Sequence, residues 1–352
     1  MEFLTRSTII SPLTLIRRER LLPDVGTIVA KIGQEVSPVQ VVARAPLKMN
    51  FHMIPAGKIL GLSPAELADA LLINIGMTVD QGTPLVKKSG VGRKVFNSPV
   101  DGTLYDVANG NLVFRQVVDI VELRALARGR VVNHLGNRGV VLEINGSRIQ
   151  AIWDSGKEGF GTIHVAVETA VTPFTGSQIY ADVAKQVLVT GIVNNAEALE
   201  QAERAAVSGL IAGSITADLL PLARSVSFPV FITNGIGKQG MAQPVFDLLQ
   251  KSEAREVALF MPPRDQSGSR SEIIIPLEVI SKNILPPADR PLTVGQTIRI
   301  NRPPYENQIG SVKQIFHKKQ ITTTGIRVHG AEIKLADGTA VFVPIANLEV
   351  II

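Results

Sequence analysis

The stretch from Gln186 to Met261 constrains the fold more than any other, because there short apolar runs alternate with helical segments in a repeating order. The runs are Gln186-Val-Leu-Val-Thr-Gly191, Gly209-Leu-Ile-Ala-Gly213, Pro229-Val-Phe-Ile-Thr233 and Glu256-Val-Ala-Leu-Phe260. Strands joined through crossover helices share one sheet as parallel neighbours, and such crossovers are right-handed. The spacing therefore predicts a small parallel βαβαβαβ sheet. On either side the chain turns to short strands, glycines and prolines, which places a compact α/β block between two β-rich arms. The expected class is multidomain α/β plus β.

A length of 352 residues with 45% apolar content supports several packed cores. The absence of cysteine removes thiol nucleophiles, disulfides, iron–sulfur clusters and cysteine-ligated zinc together. The five histidines show no metal-ligand spacing, and no His-Glu-x-x-His, Gly-x-Ser-x-Gly or Gly-Lys-Ser/Thr sequence occurs. A non-enzymatic protein with no cofactor and no metal is the expectation. The net charge of +5 is a mild excess that a solvated surface accommodates. No run approaches the ~20 apolar residues of a membrane span. The opening residues lack the basic-then-apolar order of a secretory signal. Both features predict a cytoplasmic location.

Near the N-terminus, Ile32-Gly33-Gln-Glu-Val36 is echoed by Ile75-Gly76-Met-Thr-Val79, and Gly26-Thr27-Ile28 by Gly102-Thr103-Leu104. In each, glycine permits a tight turn and the alternation turns the β-branched residue inward. With Asn97-Ser-Pro-Val-Asp-Gly-Thr-Leu104, these segments resemble the barrel-sandwich hybrid of lipoyl and biotinyl domains, in the version found in the C subunit of Rnf electron-transport complexes. The resemblance implies a fold and no activity. Lys48 is preceded by Leu47 rather than by the methionine of a biotinylated site, so it reads as an exposed lysine. Gly90-Val-Gly92 marks the corresponding hairpin of the second unit. Ser63-Pro-Ala-Glu66 is a capping box that opens a helix toward Asn74.

Further on, Gly139-Val-Val-Leu-Glu-Ile144 and Arg148-Ile-Gln-Ala-Ile-Trp153 flank Asn145-Gly146, a strong hairpin signal. A glycine-rich segment, Asp154 to Gly161, follows as a turn with the capacity to hold an anion. At the carboxyl ends of the parallel strands, where ligands approach open sheets, stand Asn194, Ser214 and the motif Gly235-Ile-Gly237-Lys-Gln-Gly240. This motif has dinucleotide-binding spacing between a strand and a helix. It lies at the third strand rather than the first, and Glu253 and Glu256 come too soon to hold a ribose. Gly235, Gly237, Gly240, Asn194 and Ser214 form a candidate anion or nucleotide site.

Pro286-Pro-Ala-Asp-Arg-Pro291 breaks the chain before a last domain. Val294-Gly-Gln-Thr-Ile-Arg-Ile300, Pro303 to Val312, Ala331-Glu-Ile-Lys-Leu335 and Val341-Phe-Val-Pro344 look like a KOW motif in a small SH3-like barrel, the type of NusG and several ribosomal proteins. The resemblance implies a nucleic-acid-linked setting, with RNA, a ribonucleoprotein or a transcription partner as ligand, although some KOW domains dock proteins only. Arg299, Arg302, Lys313, Lys318, Lys319 and Arg327 around Tyr305 are the candidate phosphate-tracking and base-stacking groups. The expected domains are a barrel-sandwich hybrid at 1–125, a β-hairpin extension at 126–180, a parallel α/β domain at 181–285 and a KOW barrel at 286–352. Three functions stand open: an RNA-engaging adaptor, a protein-only assembly scaffold, and a nucleotide-binding enzyme built on the glycine loop. Separation at 286–291 predicts that truncation after Pro287 leaves a cooperatively melting protein.

Overall fold

A computed structural model describes residues 4–8, 10–88, 94–180, 182–261, 270–279, 290–306, 308–322 and 324–351. The hairpin tip at 90–92, most of the 262–271 loop and the breaker before Arg290 lie outside these residues. The fold is predominantly β. Its described strands form an 11-stranded, a 7-stranded, a 5-stranded and a 2-stranded sheet.

The strands Gln186–Val193, Gly209–Ile215 and Val230–Ile236 are parallel neighbours, as their spacing requires. The fourth expected strand departs from that reading. Glu256–Phe260 runs antiparallel beside Gly159–Val165, and it is Gly159–Val165 that completes the parallel set against Gln186–Val193. A fully buried apolar run reads alike in either direction, so composition did not reveal the reversal. Residue parity explains the layers. Leu188, Leu210 and Ile232 face helices Ala196–Arg204 and Leu220–Ser225, whereas Val189, Ile211 and Phe231 face helix Gln243–Gln250 on the opposite side.

The expected hairpin at Asn145-Gly146 is instead the interior of one strand, Gly139–Gln150. It pairs with Ile10–Leu21 and with Glu272–Pro276. A side chain at Gly146 would put its Cβ 2.3 Å from the Ile275 carbonyl oxygen, so this glycine serves close backbone approach rather than a turn.

The N-terminal echoes share a hydrogen-bond pattern. Gly33 (φ 85°) donates to Val131 and Val131 returns a bond to Gln34; Gly76 (φ 92°) donates to Leu104 and Leu104 returns one to Met77. One echo enters the 11-stranded sheet and the other the 5-stranded sheet. The two bodies are bridged by a ribbon of Val41–Ile54 and Asn111–Arg124, on which Lys48 is exposed. The capping box forms, with Glu66 N–H bonded to the Ser63 hydroxyl and Ser63 N–H bonded to the Glu66 carboxylate. Those bonds from Ser63 hold the Glu66 carboxyl below the usual range. The helix stops at Asp69, short of Asn74, and Leu72 N–H goes instead to the Leu85 carbonyl.

The expected boundaries at 125 and 286 do not follow sheet membership. Leu4–Thr8 lies in the C-terminal sheet, parallel to Leu348–Ile351 and antiparallel to Arg290–Pro291. The next strand, Ile10–Leu21, joins the 11-stranded sheet. The C-terminal sheet curls round Ile298, Ile300, Val312, Ile333, Val343 and Val350, all buried. Among the described residues no helix is long and apolar enough to cross a membrane.

Candidate functional site

The glycine motif does not form a strand–loop–helix phosphate cradle. Gly235 still belongs to the strand, opposite Ser214, and the helix starts only at Gln243. Gly235 and Gly237 have φ of 144° and 147°, which glycine accepts readily. Four N–H groups of the intervening segment are consumed internally: Gly237 donates to Ile215 O (2.8 Å), Gln239 to Ser214 Oγ (3.0 Å), Met241 to Ala170 O (2.8 Å) and Ala242 to Asn234 Oδ1 (3.1 Å). Ser214 is fully buried, while Asn194 is exposed just beyond its strand. The five candidate residues therefore do not converge on open space. Gly240 allows close packing, since a Cβ there would lie 2.6 Å from Ala170 O. Gly213 is tighter, with a would-be Cβ 2.3 Å from Met241 N. Gly213→Ala is expected to destabilise by about 1–3 kcal/mol through overpacking, read as a shift in denaturation midpoint without a change in slope.

The C-terminal sheet reaches the strand Val230–Ile236 at Thr233 and Asn234. Arg299, only 2% exposed, donates through Nη1 to Thr233 O (3.2 Å) and to Asn234 Oδ1 (3.4 Å), and pairs through Nε and Nη2 with buried Glu349. Arg270 holds the other Glu349 oxygen at 2.6 Å. Arg299 stands between Ile298 and Ile300, both buried in the C-terminal core, so its side chain lies on the outer face of that sheet. That outer face is covered by the α/β unit, so Arg299 is unavailable to a phosphate. The sequence offered no signal for Glu349 and Arg270 as its partners, since the contact joins residues remote along the chain.

The other predicted cations also separate. Tyr305 packs on the C-terminal core, and Lys313 pairs with Glu332 at 3.1 Å. Arg302 is exposed in the loop before Ile309, some ten strand residues from Lys319, or roughly 30 Å along the strand. Lys318, Lys319 and Arg327 stay together on the hairpin of Ile309–Ile321 and Arg327–Leu335. Among the described residues, neighbouring strands pair this hairpin only at Ile309 to Ser311 and at Gly330 to Lys334, so its far part projects as a two-stranded finger. All three cations are exposed, and none has a carboxylate partner among the described residues. At the root of the finger Phe316 and Phe342 meet with ring centroids 5.8 Å apart. Phe342 lies over Gly330, where a Cβ would come 2.2 Å from the ring. This aromatic pair went unread in the sequence because its members belong to separate strands.

A second buried ionic network fastens the N-terminal strand. Arg18 and Arg148 share Glu272, Arg20 Nη1 reaches both oxygens of Glu158 (2.9 and 2.8 Å), and the guanidinium groups of Arg18 and Arg20 each stand 5.3 Å from the Phe260 ring. Burial pulls the Arg18 pKa down and Glu272 opposes the shift. These ion pairs join Ile10–Leu21 to the sheet, while the buried Arg18 Nε has no hydrogen-bond partner among the described residues. Among the described residues no three metal-ligating side chains cluster. No protein-family model matches this chain, and no curated protein matches it.

Proposed function

We propose that this chain is a modular binding protein whose C-terminal KOW-like domain engages RNA or a ribonucleoprotein through the projecting 316–330 hairpin. The observation that carries the reading is charge: from Glu306 to Glu332 the sequence contains no intervening acid, and Lys318, Lys319 and Arg327 share one exposed finger. A field of one sign on a protruding element attracts a polyanion, and the Phe316–Phe342 pair offers an apolar face for a base at its root. The reciprocal bonds of the two glycine turns support reading the N-terminal region as a duplicated barrel-sandwich unit that spaces the modules. The full chain is the reagent of choice, because Leu4–Thr8 belongs to the C-terminal sheet. Anisotropy with a single-stranded oligoribonucleotide should show affinity falling with salt, at a slope of about −0.7 per phosphate neutralised. Lys318→Ala/Lys319→Ala should lower that slope by roughly one to two units, one contact per lysine. No binding at low salt, or an unaltered slope, would remove the RNA reading.

The protein-only scaffold has one observation of its own. Leu47, Met49, Phe51 and Met53 alternate along the bridging ribbon at 42–70% exposure, an apolar stripe suited to another protein. Binding of a partner that survives nuclease and depends on Phe51 would favour it.

A further inference from the structure

Toward the carboxyl end of Val230–Ile236, Arg299 bonds Thr233 and Asn234 and pairs with Glu349. The amino ends of Gly159–Val165, Gln186–Val193, Gly209–Ile215 and Val230–Ile236 open instead on a cavity of about 710 Å³, a size suited to a metabolite. Its floor is apolar, made by Phe160, Phe228 and Pro229, with Phe228 only 3% exposed. The facing wall comes from a distant part of the chain, where Pro38 accepts the Leu126 N–H at 2.9 Å and both residues line the space. Gly159 and Gly161 keep the floor low, since side chains there would collide with Pro229 and with the Lys185 carbonyl.

The charges around this cavity do not cancel. Its two carboxylates are already held, Glu158 by Arg20 at 2.8 Å and Glu256 by Arg128 at 3.3 Å. Arg124 and Lys185 line the same space and have no carboxylate partner among the described residues. Hydroxyls of Ser37, Thr162, Ser208 and Ser227 complete the rim. Lys185 and Leu126 take left-handed backbone, φ 65° and 64°, where a glycine would be less strained. An apolar floor beneath two unneutralised cations and several hydroxyls matches a ligand with an apolar body and one negative end.

We propose that this cavity binds a metabolite-sized amphipathic anion, an aromatic or aliphatic body carrying a single carboxylate. The site is separate from the cationic finger and does not depend on RNA binding. Its test uses the full chain and 8-anilinonaphthalene-1-sulfonate, an aromatic body with one fixed negative charge, followed by fluorescence. Saturable binding at one site is expected, with displacement by 2-naphthoate at least tenfold more effective than by neutral 2-naphthol. Naphthyl phosphate as a third competitor separates a carboxylate site from a phosphate site, and better displacement by it would overturn the carboxylate assignment. Lys185→Glu and Arg124→Glu, both at exposed positions, should each weaken the probe at least tenfold with an unchanged melt. Ser208→Trp should abolish it by filling the space, while Phe51→Asp and Lys318→Ala/Lys319→Ala should leave it unaltered. Absence of saturable binding, indifference to Lys185→Glu, or equal displacement by the neutral naphthol would overturn the assignment.

Discussion

Glu349→Ala is expected to lower the free energy of unfolding by about 3–5 kcal/mol, the largest effect of any single substitution considered, because it strands a buried arginine. Glu349 is 1% exposed and answers both Arg299 and Arg270. Without it Arg299 keeps only Thr233 O and Asn234 Oδ1, neutral acceptors that do not offset the loss of water around a full charge. Arg270 is less affected, since its side chain is 22% exposed. The double replacement Arg299→Met/Glu349→Leu should recover much of the loss, as exchanging a buried ion pair for apolar groups is often neutral. Guanidinium denaturation measures all three, with Lys318→Ala as a surface control expected within about 0.5 kcal/mol of the parent. A single-substitution cost below about 1 kcal/mol would show that solvent reaches the pair.

Truncation after Pro287 is expected to abolish a single cooperative transition, the reverse of what the proline-rich boundary suggests. Removal of the C-terminal sheet leaves Leu4–Thr8 without the strand Leu348–Ile351 and without Arg290–Pro291. It also takes Arg299 away from the Thr233 carbonyl, a buried acceptor that then lacks this donor. Deleting residues 1–8 should act on the same joint from the other side, opening the edge of Leu348–Ile351. Calorimetry of the truncated and parent chains decides the matter. A truncated protein that melts in one transition within a few degrees of the parent would show that the C-terminal sheet is an appendage.

Local signals in this sequence translated faithfully into local structure. The capping box at Ser63 and Glu66 depends on neighbours three residues apart, and the turns at Gly33 and Gly76 each close with a bond spanning three residues, Gln34 N–H to Lys31 O and Met77 N–H to Asn74 O. Three of the parallel strands followed from apolar runs and helix spacing. The misread positions share a different cause. Asn145-Gly146 has the composition of a turn, yet strands on both sides hold it extended. Gly235, Gly237 and Gly240 have the spacing of a nucleotide loop, yet Ser214, Asn234 and Ala170 claim the amides. Arg299 has the alternation of a surface residue, yet another part of the chain covers that surface. In each case a contact between residues remote in sequence overrode the local pattern, and a local pattern contains no record of such contacts. The cavity at the amino ends was legible only in part, through Gly159 and Gly161, because its opposite wall arrives from residues 37–39 and 124–128.

The pairing of Arg6, Ser7 and Thr8 with Glu349, Val350 and Ile351 sets a timetable for the chain as it is made. At ~5–20 residues per second, a ribosome needs roughly 20–70 s between extruding the first strand and extruding the strand beside which it lies. During that interval Leu4–Thr8 has neither of its sheet neighbours, whereas Ile10–Leu21 can already pair with Gly139–Gln150. The nascent polypeptide therefore holds Leu4–Thr8 without either sheet neighbour until Leu348–Ile351 has emerged. Such a chain stays exposed to strand exchange with its neighbours on a polysome, and slow translation between these two segments would prolong the exposure.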